Sequence, residues 1–215
     1  MVIDRTGKRP KVLMGQRHLN SPFMPGMYVF PGGRVDRGDS RLIVPDRLDQ
    51  TVERKLLNDM KGTASPRRAQ ALALAAIRET AEETGLLIGA QKSEPWSTAS
   101  PAWRPFVERG LTPSLSALTF FLRAITPPRQ VRRFDTRFFC VPSDAIAHQL
   151  PNENDELLDL HWLTFDRALQ LKLPTITRFA LEALNEKLSR NQYPSPKDDI
   201  HYFYRRSGKF RRELL

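Results

Sequence analysis

Three glutamates of this chain have the side-chain type and the spacing that metal chemistry requires. Glu79, Glu82 and Glu83 stand at positions i, i+3 and i+4 of the segment RETAEETGLL, so a helix would place all three carboxylates on one face. Like charges at this spacing repel each other, and Arg78 is placed at i+4 to compensate Glu82 alone. Hard oxygen ligands on a rigid element suit Mg²⁺ or Mn²⁺, which would relieve the repulsion. A solvated, charged helix face is the alternative.

A helix long enough to hold these carboxylates is predicted around them. Ser65 and Pro66 form a helix start, with the serine as N-cap and the proline in the first turn. The segment that follows is rich in alanine and leucine, and Gly85 is placed to end the helix after residue 84. Upstream, Gly32-Gly33 forms a turn that allows backbone groups to approach a ligand closely.

The remaining segments alternate irregularly between strand and helix patterns, which predicts a mixed α/β fold. Residues 115–125 are ambiguous, and 91–114 read as an irregular loop. The predicted strands are 11–19, 27–30, 86–88, 132–141 and 158–163, and the other predicted helices are 48–61, 166–171 and 175–189.

Composition narrows the class of protein without naming a ligand. The chain has 215 residues, with 34 Lys+Arg against 24 Asp+Glu and a formal net charge of +10, which favours an anionic partner. We find no uncharged apolar run long enough to span a membrane, so we expect no membrane partner. The single cysteine, Cys140, excludes an internal disulfide framework and favours a reducing, cytoplasmic location.

Two motifs together resemble the signature of a known family. The segment Arg78 to Leu86 resembles the C-terminal half of the Nudix box, R-E-U-x-E-E-x-G-U, and Phe30-Pro31-Gly32-Gly33 resembles its entry. In the full pattern, G-x5-E-x7-R-E-U-x-E-E-x-G-U, Gly33 matches the first glycine and Asp39 stands where glutamate is usual. The 38 residues 40–77 replace the family's seven, so the box is split.

The resemblance implies a fold and a domain organisation. The fold would be α/β, with a mixed β-sheet sandwiched between helices and a helical insertion inside the Nudix box. Residues 1–215 would form a single Nudix domain, with an insertion at 40–65 and a basic C-terminal tail at 193–215. The insertion would cover the substrate or form a homodimer contact.

The resemblance also implies a reaction, which is metal-dependent hydrolysis of a diphosphate linkage in a nucleoside diphosphate derivative. Mg²⁺ or Mn²⁺ would be bound by Glu79, Glu82, Glu83 and the carbonyl oxygen of Gly33, while Arg78 would hold the loop and helix together by ion pairing. Glu153 and Glu156, in a late loop, are candidates for the general base, with a solvated polar loop as the alternative.

The long insertion resembles one branch of the family, the coenzyme A diphosphatases, so coenzyme A or acyl-coenzyme A is the expected substrate. The chain keeps Gly26-x3-Phe30-Pro-Gly-Gly but has His18 and Pro22 where the coenzyme A motif has serine and arginine. ADP-ribose, NADH or capped RNA are alternative substrates. A non-catalytic nucleic-acid-binding module is a further alternative, against which the repulsive carboxylate cluster argues.

The basic residues supply candidates for holding phosphates. A strand would put Arg133 and Arg137 on the same face as Asp135, which leaves open whether they bind substrate or pair with that aspartate. The candidate substrate-binding residues are Arg17, Gly32, Gly33, Arg133 and Arg137. We expect a small-molecule partner rather than nucleic acid.

Overall fold

The computed structural model describes residues 1–91, 96–128, 133–152, 154–206 and 209–215. Its strands are Val2–Asp4 (β1), Lys11–Arg17 (β2), Tyr28–Val29 (β3), Leu86–Gln91 (β4), Leu111–Pro113 (β5), Thr119–Ile125 (β6), Asp135–Pro142 (β7), Ile146–Gln149 (β8), Leu157–Thr164 (β9), His201–Arg206 (β10) and Lys209–Leu214 (β11). Its helices are Gln50–Leu57 (α1), Pro66–Thr84 (α2), Arg104–Val107 (α3), Phe165–Ala168 (α4) and Thr175–Ser189 (α5).

Most of the strands join one mixed sheet. Within the described residues it has eight strands, seven of them in the order β11-β10-β6-β7-β1-β2-β3, and the eighth, β9, pairs with β2 outside this order. The pairs β1–β7 and β6–β10 are parallel, and the other pairs are antiparallel. Strands β5, β4 and β8 form a separate small sheet.

The large sheet lies between two layers of helices. On one side, apolar residues of β2, β6 and β7 pack with Val52 of α1 and with Leu74 and Ile77 of α2. On the other side, residues of the same strands pack with Leu181 and Leu184 of α5. Since neighbouring residues of a strand point to opposite faces, one sheet serves both layers. The expected mixed sheet between helices is thus confirmed.

The insertion is part of this core. Its helix is shorter than the predicted 48–61, because Asp49 caps α1 at Gln50 and the chain leaves the helix after Leu57. The buried side chains of Val52 and Leu56 join the same apolar cluster as α2.

A buried arginine of the sheet fastens the end of the insertion. Arg123 of β6 donates to the carbonyl oxygens of Asn58 and Asp59, over 3.1 and 2.9 Å, and to both carboxylate oxygens of Asp135. Tyr202 of β10 donates to the Asp59 carboxylate over 2.7 Å. The insertion, the large sheet and the tail therefore share one hydrogen-bonded network.

The structure of several other segments differs from the one predicted from sequence, in part because they pair with strands distant in the chain. The ambiguous 115–125 segment contains strand β6, because β7 and β10 pair with its two sides. The segment predicted as an irregular loop contains α3 and β5, and the predicted helix 166–171 shortens to α4. The basic tail folds back as the hairpin β10–β11. Among the described residues, no helix is long and apolar enough to cross a membrane.

Candidate active site at the split box

Helix α2 carries the three glutamates into three different environments. It begins after Ser65, whose side chain accepts from the Arg68 N–H, and ends at Gly85, which has a φ of +73°. The side chain of Glu82 is 39% exposed and that of Glu79 is 16% exposed, while Glu83 is 2% exposed as a residue. The carboxylates are therefore close in sequence but differ in their contact with solvent.

The Gly-Gly turn holds two of these carboxylates. The Gly32 N–H donates to Glu83 Oε2 over 2.7 Å, and the Arg34 N–H donates to Glu79. Gly33 lies so close to Glu79 that a Cβ at this position would overlap the carboxylate. The turn and the helix therefore pack so closely that a side chain at position 33 would have to displace the Glu79 carboxylate.

An ion pair joins the two halves of the split box. Arg78 Nε and Nη2 donate to the two carboxylate oxygens of Asp39 over 3.0 and 3.1 Å, although the residues are 39 positions apart. Both residues are buried, at 5% and 2% exposure. Arg78 Nη2 also donates to the carbonyl oxygen of Arg34 over 2.7 Å. Asp39, which stands where the family pattern has glutamate, thus joins the segment before the insertion to the helix after it.

Arg78 also pairs with two of the glutamates. Its Nη1 lies 2.9 Å from Glu79 Oε1 and 2.8 Å from Glu82 Oε2. Burial lowers the pKa of Arg78, but its hydrogen bond to Asp39 and the charges of Asp39, Glu79 and Glu82 outweigh burial, so the pKa lies above its usual value. Arg78 is therefore the cation that holds this end of the site together.

Within the part of the chain that the structure describes, Glu83 forms no ion pair with a cation such as Arg78. Burial raises its pKa to about 8, and the negative charges of Glu156 and Glu79 add to the effect. The Gly32 N–H and the charge of Arg17 act in the opposite direction. Burial also raises the pKa of Glu79, where the charge of Arg78 opposes it in part. Two adjacent carboxylates therefore lack part of the positive charge that would stabilise their ionised forms.

The donor set matches Mg²⁺ or Mn²⁺ in chemistry but is not arranged around one point. Among the described residues, no group of three or more His, Cys, Asp or Glu side chains is placed to hold a metal ion. The Arg78 guanidinium instead draws Glu79 and Glu82 toward itself. Carboxylate oxygens suit a hard cation, and Glu82 has the more exposed side chain of the two glutamates that Arg78 holds.

Two further candidates lie beside these carboxylates. Arg17 Nη2 is 3.5 Å from Glu156 Oε1, and the charges of both residues reach Glu83. Arg17 Nε donates to the carbonyl oxygen of Phe23 over 3.1 Å, which ties the loop 18–26 to this cluster. The structure therefore brings Arg17 and Glu156 to the site, while Glu153 lies outside the described residues.

The structure does not bring the other two arginines to the glutamates. Arg137 Nη1 donates to the Asp135 carbonyl oxygen over 2.7 Å and lies 3.2 Å from its carboxylate. Arg133 precedes β7, is exposed, and donates through Nε to the Thr126 carbonyl oxygen over 3.2 Å. The sequence left open whether these arginines bind substrate or pair with Asp135, and the structure shows Arg137 paired with Asp135. Among the described residues, neither arginine forms an ion pair with the α2 glutamates.

An aromatic cluster at the same end of the molecule was not anticipated from the sequence. The Arg34 guanidinium lies 5.1 Å from the ring centre of Phe134, and the Phe23 ring lies 5.2 Å from Phe134 in an edge-to-face arrangement. The three residues come from different segments of the chain. Only for Arg34, which directly follows the Gly-Gly turn, could the sequence have predicted a position near the site.

Known proteins resemble this chain in sequence and in fold. No family model matches the chain. It is 25% identical to the acyl-coenzyme A diphosphatase NUDT19 of Gallus gallus, over 74% of this chain and 55% of that protein, so it spans about half the length of this curated relative. The crystal structure of a Nudix hydrolase from Alicyclobacillus acidocaldarius superposes with a TM-score of 0.62 and 25% identity, over 86% of this chain and 89% of that one. The split box and these likenesses agree with the observed architecture, which is the fold of the Nudix hydrolases.

Proposed function

We propose that the chain is an enzyme that hydrolyses a diphosphate linkage in a nucleoside diphosphate derivative with the help of Mg²⁺ or Mn²⁺. The observation that carries the proposal is the contact of the Gly-Gly turn with the catalytic helix. There the Gly32 N–H fixes Glu83, and Gly33 packs against Glu79 without a side chain between them. A helix face used only for solubility has no need of a buried, repelling carboxylate.

The residues have distinct roles in this proposal. Glu79, Glu82, Glu83 and the Gly33 carbonyl would hold the ion, which supplies charge for the diphosphate oxygens and polarises the attacking water. Arg78 positions the helix on the turn through Asp39 and the Arg34 carbonyl oxygen.

A base is needed for the water, and Glu156 is the described candidate. Its charge reaches Glu83, and its Oε1 lies 3.5 Å from Arg17 Nη2. Glu153 remains a second candidate from the same loop. Arg17 would also attract the substrate's phosphates to this end of the sheet.

For the substrate we propose coenzyme A or an acyl-coenzyme A. The likeness to the chicken acyl-coenzyme A diphosphatase and the Gly26-x3-Phe30-Pro-Gly-Gly segment support this choice. Coenzyme A carries a 3′-phosphate besides its diphosphate, which suits a chain of net charge +10. The exposed Arg133 remains a candidate partner for that phosphate, whereas Arg137 is already engaged by Asp135.

The test is an assay of the purified chain with Mg²⁺ or Mn²⁺ on coenzyme A, ADP-ribose, NADH and capped RNA. Release of 3′,5′-ADP from coenzyme A, faster than turnover of the other compounds, is the expected result. Turnover of another compound alone would overturn the coenzyme A assignment and leave the diphosphatase reaction standing.

Glu83→Gln separates an enzyme from a binding module. We expect at least a 100-fold loss of turnover, of the order seen when a transition-state charge partner is removed, with an unchanged circular dichroism spectrum. Glu108→Gln, at an exposed carboxylate, is the matched control. The enzyme proposal would be refuted if the chain turned over none of these compounds but bound nucleic acid. In that case the unmodified chain and Glu83→Gln should bind equally well, and binding should weaken as the salt concentration rises.

A further inference from the structure

Phe23, Phe134 and Arg34 form an aromatic rim beside the carboxylate site. Phe134 lies in the connection from β6 to β7, Phe23 in the loop after β2, and Arg34 after the Gly-Gly turn. The Phe134 ring is 5.2 Å from Phe23 and 5.1 Å from the Arg34 guanidinium, measured to ring centres. Both phenylalanines are only partly buried. Planar groups from three separate segments therefore meet at the surface rather than in the core.

The backbone ties this rim to the catalytic residues on both sides. The Arg34 N–H donates to Glu79, and its carbonyl oxygen accepts from Arg78 over 2.7 Å. The Phe23 carbonyl oxygen accepts from Arg17, which pairs with Glu156. The backbone of Arg34 therefore contacts the carboxylate site directly, and that of Phe23 is joined to it through Arg17.

We propose that the aromatic rim binds the nucleobase of the substrate by stacking, an inference that rests on the proposed diphosphatase function. Aromatic rings and guanidinium planes are the surfaces on which bases stack, and every base presents a π-face to them. The Phe134 ring already has a planar cation, the Arg34 guanidinium, over it. Since phenylalanine has no polar group to read a base edge, the two rings provide affinity rather than a choice among bases.

Packing alone would be a different role for the same residues. The two phenylalanines contact each other and would hold the loop 18–26 on the β6–β7 connection. In that case any side chain of similar apolar volume would serve, and ligands with and without a base would be affected equally. The two roles therefore differ in whether leucine can replace phenylalanine without loss of base binding.

The test is equilibrium binding of ADP and of inorganic pyrophosphate, with Mg²⁺ present, by titration calorimetry. Phe134→Leu keeps apolar volume and removes the ring, so we expect ADP binding to weaken about 5- to 150-fold and pyrophosphate binding to remain unchanged. Phe134→Trp should retain ADP affinity. Phe210→Leu, at an exposed phenylalanine of β11, is the matched control and should change neither ligand.

Two results would overturn the inference: unchanged ADP affinity in Phe134→Leu, or an equal loss for both ligands. Phe23→Leu repeats the test at the second ring if the Phe134 variant does not fold. Because binding is measured without turnover, a chain that discriminates the ligands as expected but hydrolyses no compound would refute the proposed function alone. Turnover without discrimination would refute the aromatic rim alone.

Discussion

Because Asp39 and Arg78 form a buried ion pair, we expect a single neutral substitution at Asp39 to weaken the contact between the two halves of the split box. Asp39→Asn keeps the shape of the side chain and removes its charge. In the structure this carboxylate is 2% exposed and accepts two hydrogen bonds from Arg78, over 3.0 and 3.1 Å. It also accepts from the Asp36 N–H over 2.8 Å. The substitution therefore weakens both the ion pair and the turn that begins the insertion.

The expected loss follows from what remains around the arginine. Removing one partner of a buried ion pair costs about 3–5 kcal/mol, because the other charge is left without compensation. Arg78 keeps Glu79 and Glu82 within 2.9 Å of Nη1, so we place Asp39→Asn at the lower end, about 3 kcal/mol. For a chain of this size, that corresponds to a fall in the melting temperature of roughly 6–12 °C.

Urea unfolding and thermal scans followed by circular dichroism would measure the change. Asp36→Asn is the matched control, since this carboxylate is 71% exposed and 3.9 Å from the same guanidinium. An exposed pair of this kind contributes about 0–1 kcal/mol. If Asp39→Asn destabilises the chain no more than Asp36→Asn does, the reasoning that this pair closes the split box is wrong.

Two further substitutions test other contacts. Gly33→Ala should reduce turnover by about 100-fold or more, because its Cβ would displace the Glu79 carboxylate. Gly38→Ala is the control and should leave the rate unchanged, because a Cβ at that position meets no atom within 4 Å. Equal rates in the two variants would contradict the proposed contact between Gly33 and Glu79. Burial disfavours ionisation of Asp135, but hydrogen bonds from Arg123 and the charges of Arg137 and Arg123 outweigh it and hold the pKa of Asp135 below its usual value. Its stabilisation is therefore present above the unfolded pKa, about 3.9, and is lost as the pH falls through the folded value. The difference in unfolding free energy between the unmodified chain and Asp135→Asn should shrink below about pH 4, and a constant difference would refute this.

Much of helix α2 could be predicted from local sequence. The N-cap Ser65, the following proline and Gly85 set the ends of α2 at the residues expected, because capping depends on neighbouring backbone groups. The spacing of the glutamates and the motif around them predicted the family. The limits of α1 were predicted less well, since Asp49 provides a cap inside the apolar periodicity.

The sequence by itself determined which carboxylates share one helix face and which glycines form the turn before them, because helix periodicity and turn chemistry act over a few positions. Only the tertiary structure decided how those ligands differ. It buried Glu83 and brought Asp39 to Arg78 across an insertion that forms part of the core. Burial and ion pairing depend on segments distant in the chain, so no local pattern specifies them. The same applies to the aromatic rim, whose three members meet only after the sheet and its loops have formed.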